Sequence, residues 1–324
     1  MIHRTKKEEV NDYFANPAMN QSKFKKIITA RTDYLDNLSK TDNQLYYEEK
    51  GHLIVGSGVD CLLSTPEDFD NIFFYKEIEK PSDNIMALAH IVLDSYKEDQ
   101  VIDIESDDFK KRTHEKLANI KFYKERAKER WQDDSRIKTI TDKGYFKYIE
   151  GIREARGKQI IDIGEKQTIY AIYNSLINNP TTSELFKDKP NCDIYFQKPI
   201  YFTYRGIRCK AMLDRIEFNH KNRTIQYDEI KTMYDKTSNF NFPLKQFRYD
   251  IQIGWYGIPV VENIINSHTG RYKNYELLPP RFIVESTTSV GTPRLFTCTE
   301  EILHMSKYGK PALHTEFIVM NLVL

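Results

Sequence analysis

The sequence predicts an α/β fold, a mixed central sheet flanked by helices, with a mainly helical region ahead of it. Three observations in the 324 residues carry that expectation. A helix opens with a capping box at Asp162. Three runs rich in β-branched and aromatic residues then follow one another between 193 and 232. A further helix and a buried apolar run come after them. Helix, three meandering strands, helix, strand is the order of a layered α/β unit.

The elements justify themselves in turn. Ser82 precedes a segment whose Ile85, Leu88, Ala89 and Val92 fall on one stripe, as an amphipathic helix requires. Ser106 caps a long charged segment, 107–131, with few apolar positions. Its Lys110, Lys111, Arg112 and further basic residues up to Arg130 either face a phosphate backbone or, since acids are interleaved, form a solvated face. Asp162 and Glu165 have the D-x-x-E form of a capping box. The helix they open carries Ile169, Ile172, Tyr173, Leu176 and Ile177 and is closed by Asn178-Asn179-Pro180. Residues 193–203 and 207–218 read as strands joined by a turn at Arg205-Gly206. A polar turn at 219–222 leads to a third strand, 224–232. Pro243 starts a helix through Tyr256, and 281–285 is another buried strand. Two regions result: residues 1–155, mainly helical, and 156–324, the α/β core.

Composition narrows the function classes. With 40% hydrophobic and 29% charged residues, the chain is globular rather than disordered. The 21 Tyr and 18 Phe fill cores or stack on bases. A net charge of +1, from 48 basic and 47 acidic residues, excludes a polycation that coats nucleic acid. It leaves a DNA enzyme open, because binding depends on where basic residues cluster. Cys61, Cys192, Cys209 and Cys298 show no C-x-x-C spacing, which argues against zinc and iron–sulfur sites, and the length of the chain argues against a disulfide framework. The eight histidines form no H-E-x-x-H or H-x-H cluster. The glycines of 151–164 match no phosphate-binding loop, so ATP binding is not expected. Neither a leader nor an apolar run of about 18 residues stands out; the expectation is a cytoplasmic protein without a membrane segment.

The chemistry concentrates in two strands. Along 224–232, Glu229 and Lys231 share one face while Asp228 and Ile230 share the other. With a four-residue loop at 219–222, Phe218 pairs with Arg223 and Asp214 falls opposite Tyr227, diagonally near Glu229. Two carboxylates and an ammonium then converge at one spot on the sheet. Such a set suits Mg²⁺ or Mn²⁺, with the backbone carbonyl of Ile230 as a further ligand; the bland alternative is a set of surface salt bridges. Apolar neighbours (Ala211, Met212, Leu213, Ile216, Ile225, Tyr227) favour the metal, since charge among them needs a partner. Gln252 and Tyr256, four apart, lie on one helix face. Arg205, Arg208, Lys210, Arg215, Lys221 and Arg223 either hold phosphates near this spot or solubilise the strands.

Asp214, the Glu229-Ile-Lys231-Thr232 strand and the Gln252-x-x-x-Tyr256 helix, in this order, resemble the PD-(D/E)XK nuclease superfamily in its RecB-like branch, and within it phage exonucleases of the exonuclease VIII type. Residues 17–24 resemble the opening helix of those proteins. Residues 56–69, from Gly56-Ser-Gly-Val-Asp60 onward, resemble their G-x-x-x-H-x-x-L…P-x-x-F element, with Asp60 where many relatives carry a metal-binding His. Gln197 stands where some carry an acid, and Ala211 replaces a common Gly. The resemblance implies a restriction-endonuclease-like αβββαβ core and an Mg²⁺- or Mn²⁺-dependent deoxyribonuclease. Asp60, Asp214, Glu229 and the Ile230 carbonyl would hold metal, and Lys231 would position the attacking water. Gln252 and Tyr256 would support the site or contact substrate. It further implies processing of duplex DNA ends or single strands for recombination, a strand-annealing protein as partner, and a homo-oligomer. The alternatives are an endonuclease of the same superfamily, or a non-catalytic DNA-binding or assembly subunit with this fold.

Overall fold

The computed structural model describes residues 1–29, 54–77, 80–96, 103, 106–117, 144–267, 269–308 and 320–321. Contacts divide the chain into two compact units: Met1–Phe69 with Gln167–Leu324, and Asp70–Lys166.

The larger unit holds the mixed sheet. Its strands are β1 (Ile2–Arg4), β4 (Cys192–Tyr204), β5 (Ile207–Asn219), β6 (Thr224–Met233), β7 (Glu276–Leu277), β8 (Arg281–Ser286), β9 (Arg294–Thr297) and β10 (Met320–Asn321). They lie in the order β1-β4-β5-β6-β8-β9-β10, with β7 also beside β6. β4, β5 and β6 form an antiparallel meander, and β6 and β8 run parallel. The helices of this unit are α1 (Lys7–Ala15), α2 (Gln21–Thr29), α3 (Ile54–Ser64), most of α7 (Ile163–Asn178), α8 (Asn241–Gln246), α9 (Tyr249–Pro259) and α10 (Glu300–Tyr308). The expected α/β class, one mixed sheet flanked by helices, is the class observed.

Local chemistry explains the meander. Arg205 and Gly206 both adopt left-handed φ angles, 50° and 80°, so Tyr204 and Ile207 pair across a two-residue hairpin. At the next turn Asn219 Oδ1 accepts the Asn222 N–H at 2.9 Å, a side-chain cap on the turn. That turn differs from expectation by two residues in register: Phe218 pairs with Ile225, and Asn219 with Thr224. The loop is therefore 220–223, with Asn219 in the ladder opposite Thr224 and its side chain capping the turn. A slip of two keeps every side chain on its face, whereas a slip of one would exchange the faces.

The helix expected through Tyr256 breaks in two. Arg248 is left-handed (φ 52°), and its guanidinium forks onto the buried Asp250 carboxylate with two bonds of 2.9 Å, starting α9 on a new axis. The core between sheet and helices includes Phe240, Ile253, Trp255, Tyr256 and Val260 against Leu213, Tyr227, Phe282 and Val284. Tyr227 donates its hydroxyl to the Ile253 carbonyl at 3.0 Å, tying β6 to α9. α3 lies close to α7: a Cβ on Gly58 would stand 2.5 Å from Ile169 Cδ1, so only glycine permits this approach.

The smaller unit includes α4 (Asp83–Leu93), α5 (Asp107–Leu117), α6 (Tyr145–Ala155) and a short parallel ladder of β2 (Phe73–Tyr75) with β3 (Gln159–Ile161). Its core is the predicted stripe Ile85, Leu88, Ala89 and Val92 with Phe109, Tyr145 and Ile149. The capping box forms reciprocally: Asp162 Oδ1 accepts from Glu165 N–H at 2.8 Å, and a Glu165 carboxylate oxygen accepts from Asp162 N–H at 2.9 Å. Ser106 caps α5 through the Phe109 N–H. Arg112 is engaged by Asp108 and the Ser95 carbonyl. The basic residues beyond Leu117 lie outside the described residues.

Candidate active site

The site sits where β5 and β6 part. Their pairing ends at Arg215 opposite Asp228. Beyond it the β6 backbone has lost its neighbour on that side, and Asp214 Oδ2 accepts the Ile230 N–H at 2.9 Å in place of a ladder bond. In an extended strand the N–H and C=O of one residue point to the same side, so the Ile230 carbonyl also faces the gap. Direct pairing puts Arg215 and Asp228 on one face, hence Asp214 and Glu229 on the other.

Glu229 is buried, and its Oε1 accepts from both Lys231 Nζ and Gln252 Nε2. The same Gln252 amide donates to Tyr256 Oη at 3.0 Å, so the i, i+4 pair forms one bracket behind Glu229. The other carboxylate oxygen, Glu229 Oε2, is buried with no hydrogen-bond partner. Lys231 Nζ stands 5.2 Å from the centroid of the Tyr249 ring. Asp60 projects from α3, whose start lies against β6: a Cβ on Gly56 would be 3.3 Å from Thr232 Oγ1. Asp60, Asp214 and Lys231 retain partial exposure, so the group opens to solvent on one side.

Electrostatics ties the group together. Burial, and then the charge of Asp214, push both Asp60 and Glu229 well above the ordinary carboxylate range; Lys231 only partly offsets this. For Lys231 burial acts to lower the pKa, but Glu229, Asp214 and Tyr249 outweigh it and hold the ammonium above its ordinary value. One lysine thus faces three acids. Among the described residues no three His, Cys, Asp or Glu side chains stand as a preformed ligand set. The donors nonetheless fit a hard cation: hard oxygens, excess negative charge and an orphaned buried carboxylate oxygen.

Every residue expected at the site is brought to it: Asp60, Asp214, Glu229, the Ile230 backbone, Lys231, Gln252 and Tyr256. The proposed basic cluster is not. Arg215 is buried on the opposite face, bonded to Asp228, Glu217 and the Leu185 carbonyl. Lys210 is buried too, donating to the Tyr13 and Asn16 carbonyls at 2.6 and 2.7 Å at the end of α1. The exposed Arg205 and Lys221 stand in the turns at opposite ends of a 13-residue strand, roughly 40 Å apart at the usual rise.

Sequence reasoning misses Tyr249 and notes Gln197 only as standing in place of an acid, without the role it takes here. Gln197 donates to Asp214 Oδ1 at 3.1 Å from a left-handed φ of 50° in mid-strand, a conformation costly outside glycine. Nothing in its local pattern signals this. Tyr249, beside Lys231, was detectable: Tyr249, Gln252 and Tyr256 follow i, i+3, i+7, one helix face.

No family model matches the chain, and no curated protein matches it. Among solved structures, it is similar to a "putative exonuclease" from Eubacterium rectale at 13% identity, with 95% of this chain and 82% of that chain covered and a TM-score of 0.47.

Proposed function

We propose that this protein is a metal-dependent deoxyribonuclease that hydrolyses phosphodiesters at DNA ends. The observation that carries the reading is the gap between β5 and β6, where Asp214, Glu229 and Asp60 crowd one lysine and Glu229 Oε2 is buried without a donor. An uncompensated carboxylate cluster of this kind is costly unless a cation neutralises it.

Asp214, Glu229, Asp60 and the Ile230 carbonyl would hold Mg²⁺ or Mn²⁺. A cation held there would supply Lewis-acid chemistry, withdrawing charge from the scissile phosphate and lowering the pKa of the attacking water. The chain's own groups do the rest. Gln252 and Tyr256 hold the Glu229 carboxylate in place, and Gln197 does the same for Asp214. Lys231, kept protonated, orients the water and counters the negative charge that develops on the phosphate. We place the activity in DNA recombination, probed first as an exonuclease, with a strand-annealing protein as partner and a homo-oligomer as working form in the cytoplasm.

The test uses end-labelled linear duplex and covalently closed circles with Mg²⁺ or Mn²⁺. Loss of linear DNA, persistence of circles and silence in EDTA are expected. Rapid nicking of circles reassigns the enzyme as an endonuclease. No cleavage with any divalent ion leaves a DNA-binding subunit and overturns the reading.

A further inference from the structure

Beside the site, the chain from the end of β6 through α8 carries large rings in water. Tyr234 is 83% exposed, Phe242 70% and Phe247 47%. Lys236 and Lys245 lie between them in sequence and are also exposed. Phe242 and Lys245 are three apart and so share the outer face of α8.

One of these rings, Phe247, is connected to the site through another ring. Phe247 packs against Tyr249 at 5.8 Å between centroids, the ring planes 35° apart, and the Tyr249 centroid lies 5.2 Å from Lys231 Nζ. Tyr234 is three residues beyond Lys231 on the same strand's exit. Its backbone is held by Thr288, whose hydroxyl donates to the Tyr234 carbonyl. The Phe247 carbonyl accepts from Lys25 of α2 at 3.0 Å. The rings are therefore presented on anchored backbone.

Exposed rings alone fit several occupants. The ammonium groups among them decide the choice, because rings interleaved with cations suit a ligand that offers flat apolar faces on a polyanionic chain. In a duplex the base faces are stacked on one another and unavailable, whereas an unpaired strand presents them. We propose that Tyr234, Phe242 and Phe247, with Lys236 and Lys245, form a stacking platform for the unpaired bases of a single DNA strand leading into the site. The proposal deepens the nuclease reading by naming the form of substrate, and rests on it.

The test separates binding from cleavage. Fluorescently labelled single-stranded and blunt duplex oligonucleotides of equal length are titrated in EDTA, so that hydrolysis cannot intervene. The chain should prefer the single strand. Phe242→Ala, Phe247→Ala and Tyr234→Ala should each weaken single-strand binding, about tenfold per ring, with the salt dependence unchanged. Lys236→Ala and Lys245→Ala should instead flatten the slope of log K against log salt by about 0.7 each. Phe247→Trp should retain binding and show fluorescence quenching on adding strand. Since Phe247 also touches Tyr249, circular dichroism of each variant checks the fold, and Phe242→Ala and Tyr234→Ala stand as controls at the most exposed positions.

Wild-type affinity in all three ring variants overturns the platform, as does equal weakening for duplex and single strand. A concentration-dependent dimer lost in the ring variants, without oligonucleotide binding, assigns the patch to a second copy of this chain. Ring-dependent strand binding in a protein that cleaves nothing with any divalent ion keeps the platform and refutes the nuclease. Normal cleavage of linear duplex by variants that bind strand like wild type does the reverse.

Discussion

Asp228 and Glu229 are neighbours in sequence, both buried and both acidic, and the fold sets them opposite tasks. Asp228 accepts from Arg215 Nη1, from Arg281 Nε at 2.7 Å and from Arg281 Nη2 at 3.2 Å. Burial acts to raise its pKa most strongly, but the two guanidiniums more than offset this and hold it below the ordinary carboxylate value. Replacing Asp228 with Asn removes one of the two carboxylates that face a fully buried Arg215, Glu217 being the other, and breaking a buried pair in this way costs toward the lower end of about 3–5 kcal/mol. At about 2–4 °C per kcal/mol for a large domain, melting should fall by roughly 10 °C. Glu229 faces the reverse situation. Gln at 229 can still accept from Lys231 or Gln252, removes repulsion with Asp214, and relieves an unpartnered buried oxygen; Lys231 keeps Asp214 nearby. Without divalent ions, Glu229→Gln should leave stability within about 1 kcal/mol of the wild type or raise it. The assay is urea denaturation of both variants in EDTA, followed by Mn²⁺ titration calorimetry. Asp228→Asn should bind Mn²⁺ where it remains folded, and Glu229→Gln should not. If Glu229→Gln costs as much stability as Asp228→Asn, or if Asp228→Asn is the one that loses Mn²⁺, the assignment of faces on β6 is wrong.

Four further outcomes follow from the same geometry. Lys231→Ala should retain Mn²⁺ binding and lose about 100-fold in single-turnover hydrolysis, because it removes a cation that stabilises developing charge; an equal loss of metal affinity would contradict that role. Asp60→Ala should weaken Mn²⁺ binding with little change in melting temperature, and wild-type turnover would return Asp60 to a bystander. Gln197→Ala and Gln197→Gly should both weaken metal affinity about tenfold through a freed Asp214, but the glycine variant should be the more stable, since it adopts φ 50° without strain. Because Asp60 and Glu229 titrate above the ordinary carboxylate range in the folded chain, the folded state holds extra protons there and metal-free stability falls as pH rises through that window. A divalent ion needs both carboxylates ionised, so the melting-temperature gain from Mn²⁺ should be larger in mildly alkaline than in mildly acidic buffer; a gain independent of pH would exclude these acids as ligands.

The sequence by itself determined the order of the core, a helix, three strands, a helical stretch and a strand from α7 to β8, and the faces of the strands. Alternation along 224–232 separates Glu229 from Asp228 whatever the register, and a slip of two residues left that separation intact. The capping box at Asp162 was legible because its partners are three residues apart, and the Gln252–Tyr256 pair because one helical turn joins them. Only the tertiary structure decided what depends on distant chain segments. It placed Arg215 and Lys210 inside the protein rather than at the site, since their partners, Asp228 and the α1 carbonyls, come from elsewhere in the chain. It brought Asp60 from α3 to the gap through the close approach of Gly56 and Gly58, and it gave Gln197 a left-handed backbone that no local pattern announces. Local periodicity specifies which way a side chain points. Which groups it meets is set by where the sheet splays and how closely the helices pack on it, and those are properties of the assembled core.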